Sequence, residues 1–145
     1  MSYTATNYKK HDKAPVGKWT CSPGSSEGPF DAVPTGAKTH HPNYCGQCVS
    51  YVRQVYPTLP TTEGWKKGSP AKGNAKEGMV IATFNSEGNY YGHAAIYVSE
   101  DQDGINVYDQ YIYGVTPKAV GPRKLKFGAA NDVNNGDKFY IVEPK

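Results

Sequence analysis

A chain of 145 residues with 37% hydrophobic and 20% charged side chains holds enough apolar material for one ordinary core and too little for two, so a single domain over 1–145 is expected. Its formal charge of +3 is spread in small groups (Lys9 and Lys10, Lys66 and Lys67, Lys124 and Lys126) rather than one basic block, which argues against a nucleic-acid partner. No apolar run approaches the roughly 20 residues of a membrane helix, so no membrane partner is expected either.

The N-terminus, MSYTATNYKKHDKAP, has no apolar stretch after its lysines and does not read as a secretory signal peptide. For work outside the cytoplasm in which it is made, another machine would have to carry it there. Residues 1–42 are rich in Gly, Pro, Ser and Lys and follow neither a helical nor a strand period, which predicts a long irregular surface segment, partly mobile. Order begins at Cys48. In CVSYVRQVY the positions Val49, Val52 and Tyr56 fall on one helical face and Pro57 ends the run, so a short helix opening at Cys48 is expected. The stretch TLPTTEGWKKGSPAKGNAKEG is punctuated and predicts at most one helical turn near Trp65. From Met79 the pattern is β: MVIATF, YYGHAAIYV and INVYDQYI are divided by NSEGN and SEDQDG, both rich in turn-forming residues. RKLKF and the final KFYIVE predict further strands. The fold class is therefore α+β, with an N-terminal helix packed on one face of an antiparallel meander sheet. No internal repeat is present.

The chemistry centres on NYCGQCVSYV. Cys21, Cys45 and Cys48 are odd in number, so at least one thiol is free or joined to something outside the chain. A Cys-x-x-Cys pair reads as a redox dithiol, half of a metal site, or one catalytic cysteine beside a bystander. Thioredoxin-type dithiols follow an apolar strand, whereas Cys45 follows the polar THHPNY. A zinc site needs about four ligands; His40, His41, Cys45 and Cys48 are the only nearby set, and their spacing matches no usual finger or knuckle.

The catalytic reading requires a base, and His93 supplies a candidate. Strand alternation puts His93, Ala95 and Tyr97 on one face and Ala94, Ile96 and Val98 on the other. Gly92 and two alanines beside His93 make the sheet thin there, so a helix end approaches closely. A thiolate at that helix N-terminus and an imidazole from the strand make a Cys–His pair. The alternative for His93 is a half-buried sheet residue with satisfied hydrogen bonds.

GQCVSYV at 46–52, followed about 45 residues later by YGHAAIYV and a strand ending in a polar residue, resembles the NlpC and CHAP superfamily of papain-like cysteine peptidases and amidases. It looks closest to the small amidase effectors that bacteria deliver through type VI secretion. The resemblance covers roughly residues 43–112. It implies a papain-like fold, Cys48 as nucleophile, His93 as general base, no metal or cofactor, and the peptide part of bacterial peptidoglycan as substrate. It also allows a cognate immunity protein as a partner. Tyr44 and Gln47, beside the active-site turn, are the expected substrate contacts; Tyr90, Tyr91 and Trp65 are weaker candidates against ordinary packing. Cys45 departs from the family pattern, and stands either as a bystander thiol or as a disulfide partner of Cys21. For the third residue the sequence offers Asp109 and Gln110. Alternation groups Ile105, Val107, Asp109 and Tyr111, so Asp109 is expected at the end of the helix-covered face, orienting His93. Its replacement by Asn should then slow turnover with little effect on melting.

Overall fold

The computed structural model describes residues 2–114 and 116–145. One helix, α1 (Cys48–Val55), precedes six strands: β1 (Trp65–Pro70), β2 (Val80–Phe84), β3 (Tyr90–Glu100), β4 (Gly104–Tyr111), β5 (Lys118–Lys126) and β6 (Tyr140–Pro144). They form one antiparallel sheet in the order β1-β6-β2-β3-β4-β5. The expected meander is present in β2 to β5, and the last strand returns to lie between β1 and β2. The α+β class and the helix on one face are as the sequence predicts.

The two faces of the sheet hold separate apolar clusters. On one, Tyr51, Val52 and Val55 of α1 pack over Val80, Ala82, Ala94, Ile96 and Val142. On the other, Ile81, Ala95, Ile105, Val107, Leu125 and Phe139 form a second cluster without any residue of α1. Burial of each large apolar side chain contributes about 1.5–3 kcal/mol, so both clusters matter to stability. The helix lies over β3 and β4, and the small Ala94 of β3 in the first cluster lets it approach the sheet.

Three expectations are corrected. The first 42 residues are irregular, but they are not merely surface: Ala5, Tyr8, Ala14, Thr20, Cys21 and Ser22 are buried. Thr4 bridges to Met79 and Trp19 to Phe30, and a disulfide joins Cys21 to Cys45. Long-range anchors replace the local periodicity that sequence reading needs. Near Trp65 there is one turn of 3-10 helix (Thr62–Gly64), but Trp65 itself starts β1, an edge strand paired with β6. KKGSP has the composition of a turn because an edge strand faces solvent on most of its surface. Finally, Ile105, Val107 and Asp109 share a face as alternation requires, yet it is the face away from α1.

Candidate active site

The site forms where the start of α1 meets the beginning of β3. Gln47 is the extended residue before the helix, and the chain reaches it through Gly46, whose φ of 82° and proximity to the Ile112 side chain leave no place for a Cβ. Cys48 is the first helical residue, so its backbone N–H is among those without an intrahelical acceptor. Gln110 fixes this junction. Its side chain is fully buried, donates to the carbonyls of Gln47 (2.8 Å) and Thr20 (3.0 Å), and accepts from the Thr20 N–H (2.8 Å). Gln54 adds a bond from α1 to the Cys21 carbonyl (2.9 Å). The disulfide, Gln110 and Gln54 thus tie the N-terminal segment, the helix and β4 together.

A bulge delivers His93. Between the pairs Ala82↔Ala94 and Phe84↔Tyr90 the ladder takes up two extra residues on β3. Gly92 sits in this bulge at φ 110°, and a Cβ there would lie 2.5 Å from Thr83 Oγ1. Thr83 organises the turn by accepting the His93 N–H at 3.0 Å and donating to the Tyr91 carbonyl. Phe139 and Tyr111 rings meet the imidazole edge to face at 6.3 and 5.9 Å.

Asp109 lies 2.8 Å from His93, Oδ2 to Nε2, and is completely buried. Arg123 donates to the same Oδ2 through Nε (2.9 Å) and Nη2 (2.8 Å), and Lys118 Nζ is 3.0 Å from Oδ1. Burial alone would raise the carboxyl's pKa. The opposing effects of His93, Arg123 and Lys118 prevail and hold it well below the usual carboxylate range. An ionised carboxylate only accepts hydrogen bonds, so His93 Nε2 carries the proton and Nδ1 is left for Cys48.

Burial pushes the Cys48 thiol up, but the charge and hydrogen bond of His93, with smaller help from the Tyr90 hydroxyl and the Ala94 N–H, bring its pKa below the ordinary value. For His93 burial works downward and is outweighed by Cys48 and Asp109, so the imidazole is raised to about 9. Both shifts therefore run towards the thiolate–imidazolium form of the pair. Tyr90 Oη lies 3.4 Å from Cys48 Sγ. The sequence offers Tyr90 only as a weaker substrate contact; the signal for a place at the sulfur is its position three residues before His93, across the bulge.

Two cavities meet at Cys48. One, of about 570 Å³, is lined by His93, Tyr111, Arg123, Asn131 and Asn134; the other, of about 400 Å³, by Tyr44, Arg53, Glu63 and Tyr90. Gln47, Cys48 and Gly92 border both. Tyr44, 44% exposed and at φ 44°, and Gln47 therefore both face the groove. Cys48, His93 and Asp109 are brought together, whereas Gln110 lies at the helix junction and Trp65 is buried beneath Tyr90. The set His40, His41, Cys45 and Cys48 is not assembled for a metal, because Cys45 is bonded to Cys21. Among the described residues, no group of three or more His, Cys, Asp and Glu is arranged to hold a metal ion. The same bond removes the Cys45–Cys48 dithiol and leaves Cys48 as the free thiol.

This arrangement has relatives. The family model described as domesticated amidase effector 2 matches residues 30–142, a span that includes Cys48, His93 and Asp109 but begins after Cys21. A domesticated amidase effector 2 from Ixodes scapularis is 40% identical over 104 residues, covering 67% of this chain and 70% of the relative. A type VI secretion amidase effector 2 protein from Salmonella typhi is 31% identical over 116 residues, covering 67% of this chain and 84% of that protein. Among solved structures, a type 6 secretion amidase effector 2 (Tae2) superposes with a TM-score of 0.57 at 28% identity, over 68% of this chain and 81% of that one. Its likeness fits the α+β, papain-like architecture built above. With most of its length under one family model and its thiol and imidazole meeting at one groove, the chain belongs to the domesticated amidase effector 2 family.

Proposed function

We propose that the protein is a cysteine amidase that hydrolyses amide bonds in the peptide part of bacterial peptidoglycan. The observation that carries this reading is that Cys48 and His93 line one cavity, with His93 hydrogen-bonded to the buried Asp109, in a groove that opens on both sides of the sulfur. The amidase relatives supply the bond type. The wall peptide follows from the resemblance to secreted wall-degrading effectors, and the Cys21–Cys45 disulfide is in keeping with action in an oxidising compartment such as the periplasm or the extracellular space.

In this mechanism Cys48 Sγ, as thiolate, attacks the amide carbonyl carbon, and the carbonyl π pair moves to oxygen. The oxyanion accepts a hydrogen bond from the Cys48 N–H at the start of α1. As the C–N bond breaks, imidazolium His93 gives its Nδ1 proton to the departing amine. Water then gives a proton to His93, adds to the thioester carbon and expels the thiolate, leaving a carboxylic acid. Asp109 keeps the tautomer and orientation of the ring throughout, while Arg123 and Lys118 keep Asp109 ionised. No metal or cofactor takes part. Because the departing amine must face His93, it lies in the cavity of Asn131 and Asn134, and the acyl part lies in the cavity of Tyr44 and Tyr90.

Incubation with purified sacculi, followed by mass analysis of the soluble fragments, tests the reading. The expected products are peptide fragments with a new carboxyl and a new amino terminus, absent with Cys48→Ala. Release of glycan fragments with uncut peptides, or equal release by Cys48→Ala, would overturn it.

A further inference from the structure

We infer that Tyr90 is a catalytic residue, the second oxyanion donor of the site, moving its hydroxyl hydrogen bond from the Cys48 sulfur to the carbonyl oxygen as the tetrahedral intermediate forms. This rests on the cysteine-amidase reading above.

Several observations lead there. Among the described residues the Tyr90 hydroxyl makes a single hydrogen bond, to Cys48 Sγ at 3.4 Å. Its ring is held edge to face on Trp65, centroids 5.1 Å apart. Trp65 is itself fully buried and donates from Nε1 to the Pro60 carbonyl at 2.8 Å, so the platform beneath Tyr90 is fixed. Preorganised donors of this kind are the ones that stabilise developing charge without reorganisation.

Beside Tyr90, the backbone donors at the sulfur among the described residues are the Cys48 N–H at the start of α1 and the Ala94 N–H, which is engaged with the sulfur. The Gln47 side chain, the neighbouring amide, has its Nε2 turned to the Thr39 carbonyl (3.4 Å). Tyr90 and His93 lie on opposite sides of Gly92 in the bulge, and the cavity that contains Tyr90 does not include His93. With the departing amine on the imidazole side, the carbonyl oxygen is free to point towards Tyr90. The new oxyanion is two bonds from the sulfur, so a hydroxyl already touching Sγ is within reach of it.

The charge balance is consistent. Before attack Tyr90 donates to the thiolate. As the S–C bond forms, negative charge passes from sulfur to oxygen and the O–H···S⁻ bond becomes O–H···O⁻, with the phenol keeping its proton. Burial, with the Cys48 charge beside it, pushes the phenol's pKa well above its ordinary value, so it remains a donor across the working range. When the C–N bond breaks the carbonyl re-forms and the hydroxyl is released for the second, deacylating cycle.

Tyr90→Phe keeps the ring on Trp65 and removes the hydroxyl alone. Two rates are measured against pH on the wild type and this variant: release of peptide fragments from purified sacculi, and alkylation of Cys48 by iodoacetamide, which builds no oxyanion. The inference expects fragment release to fall by about 10²–10³-fold at every pH, including pH values at which Cys48 is fully thiolate, with plateau alkylation changed by less than about threefold. Recovery of fragment release at higher pH would overturn it, since Tyr90 would then only set the thiol's ionisation. So would Tyr90→Phe cleaving like the wild type, or a plateau alkylation rate that falls in parallel, which marks a displaced sulfur. A wild type that alkylates but releases no fragments would overturn the proposed function together with this inference, and is thereby distinct from a failure of Tyr90 alone.

Discussion

Cys48 and His93 face each other across the groove, but they are held in unlike ways. His93 and Asp109 stand on adjacent strands, fixed by a ladder of backbone hydrogen bonds and by Arg123 and Lys118 from the end of the sheet. Cys48 stands at the tip of an eight-residue helix whose approach is set by segments remote in sequence: Cys21 through the disulfide, Thr20 and Gln110 through hydrogen bonds. The base is built on a rigid, locally encoded frame, and the nucleophile on a frame assembled from afar. Damage to the first should therefore reach the chemistry directly, and damage to the second should cost stability while reaching the chemistry only through the placement of the thiol.

The largest effect expected is from His93→Ala, which removes both the base and the stabiliser of the thiolate. Fragment release from sacculi should fall by about 10⁴-fold or more with the fold retained by circular dichroism. Retention of more than a few per cent of activity would mean that another group takes the proton.

Asp109→Asn comes next, and here the structure revises the sequence-based expectation of an unchanged melting point. The carboxylate is fully buried against two cations and His93, so its loss should lower turnover by about 10²–10⁴-fold and also cost about 3–5 kcal/mol, because Arg123 and Lys118 lose their common partner. Denaturant unfolding beside turnover checks both. A pure activity loss at unchanged stability would show that the cations find water instead.

On the other frame, Cys21→Ala with Cys45→Ala should cost about 3–4 kcal/mol, the loop-closure value for a bridge of this span. The folded fraction should keep the same products at a reduced rate. Full activity with unchanged stability would mean that the N-terminal segment does not hold the helix at the site.

The smallest effect is in the pH profile. Activity needs imidazolium to protonate the departing amine, and with His93 raised to about 9 the falling limb of turnover should lie near pH 9. Linkage gives the matching stability signs. The raised His93 contributes fully below its unfolded value of about 6.5 and loses that contribution as pH climbs through about 9. The depressed Asp109 contributes fully above about pH 4 and loses its share as pH falls below that. A falling limb at pH 7 would place the imidazole outside the thiolate's influence.

The same contrast explains what could be read from the chain. β2, β3, β4 and β6 are legible because their runs of β-branched and aromatic residues are bounded by turn-forming ones, and α1 because Val49 and Val52 are followed by a stop at Pro57. The resemblance implies a polar residue beside His93, and alternation picks Asp109 over Gln110 for it, although on the helix-covered face. The missing information was the bulge at Gly92: two extra residues turn His93 so that it serves Asp109 on one face of the sheet and Cys48 at its end. Gln110 was read only as a rival to Asp109, because its clamp on Thr20 and Gln47 joins residues 90 and 63 positions away. Cys21 and Cys45 were visible, but their bond follows from the path of an aperiodic segment. The strand at Trp65 is hidden inside a punctuated stretch that predicts at most one helical turn, because the exposed half of an edge strand carries the composition of a turn.

The most direct measurement of the account is the pH dependence of Cys48 alkylation by iodoacetamide in the wild type and in His93→Ala. The thiolate–imidazolium pair predicts a wild-type thiol that ionises below the ordinary range of about 8.5 and reacts near neutral pH, and a variant whose titration moves upward to that range or beyond as burial acts alone. Two superimposable profiles, both titrating near 8.5, would contradict it, since the imidazole would then have no hold on the sulfur.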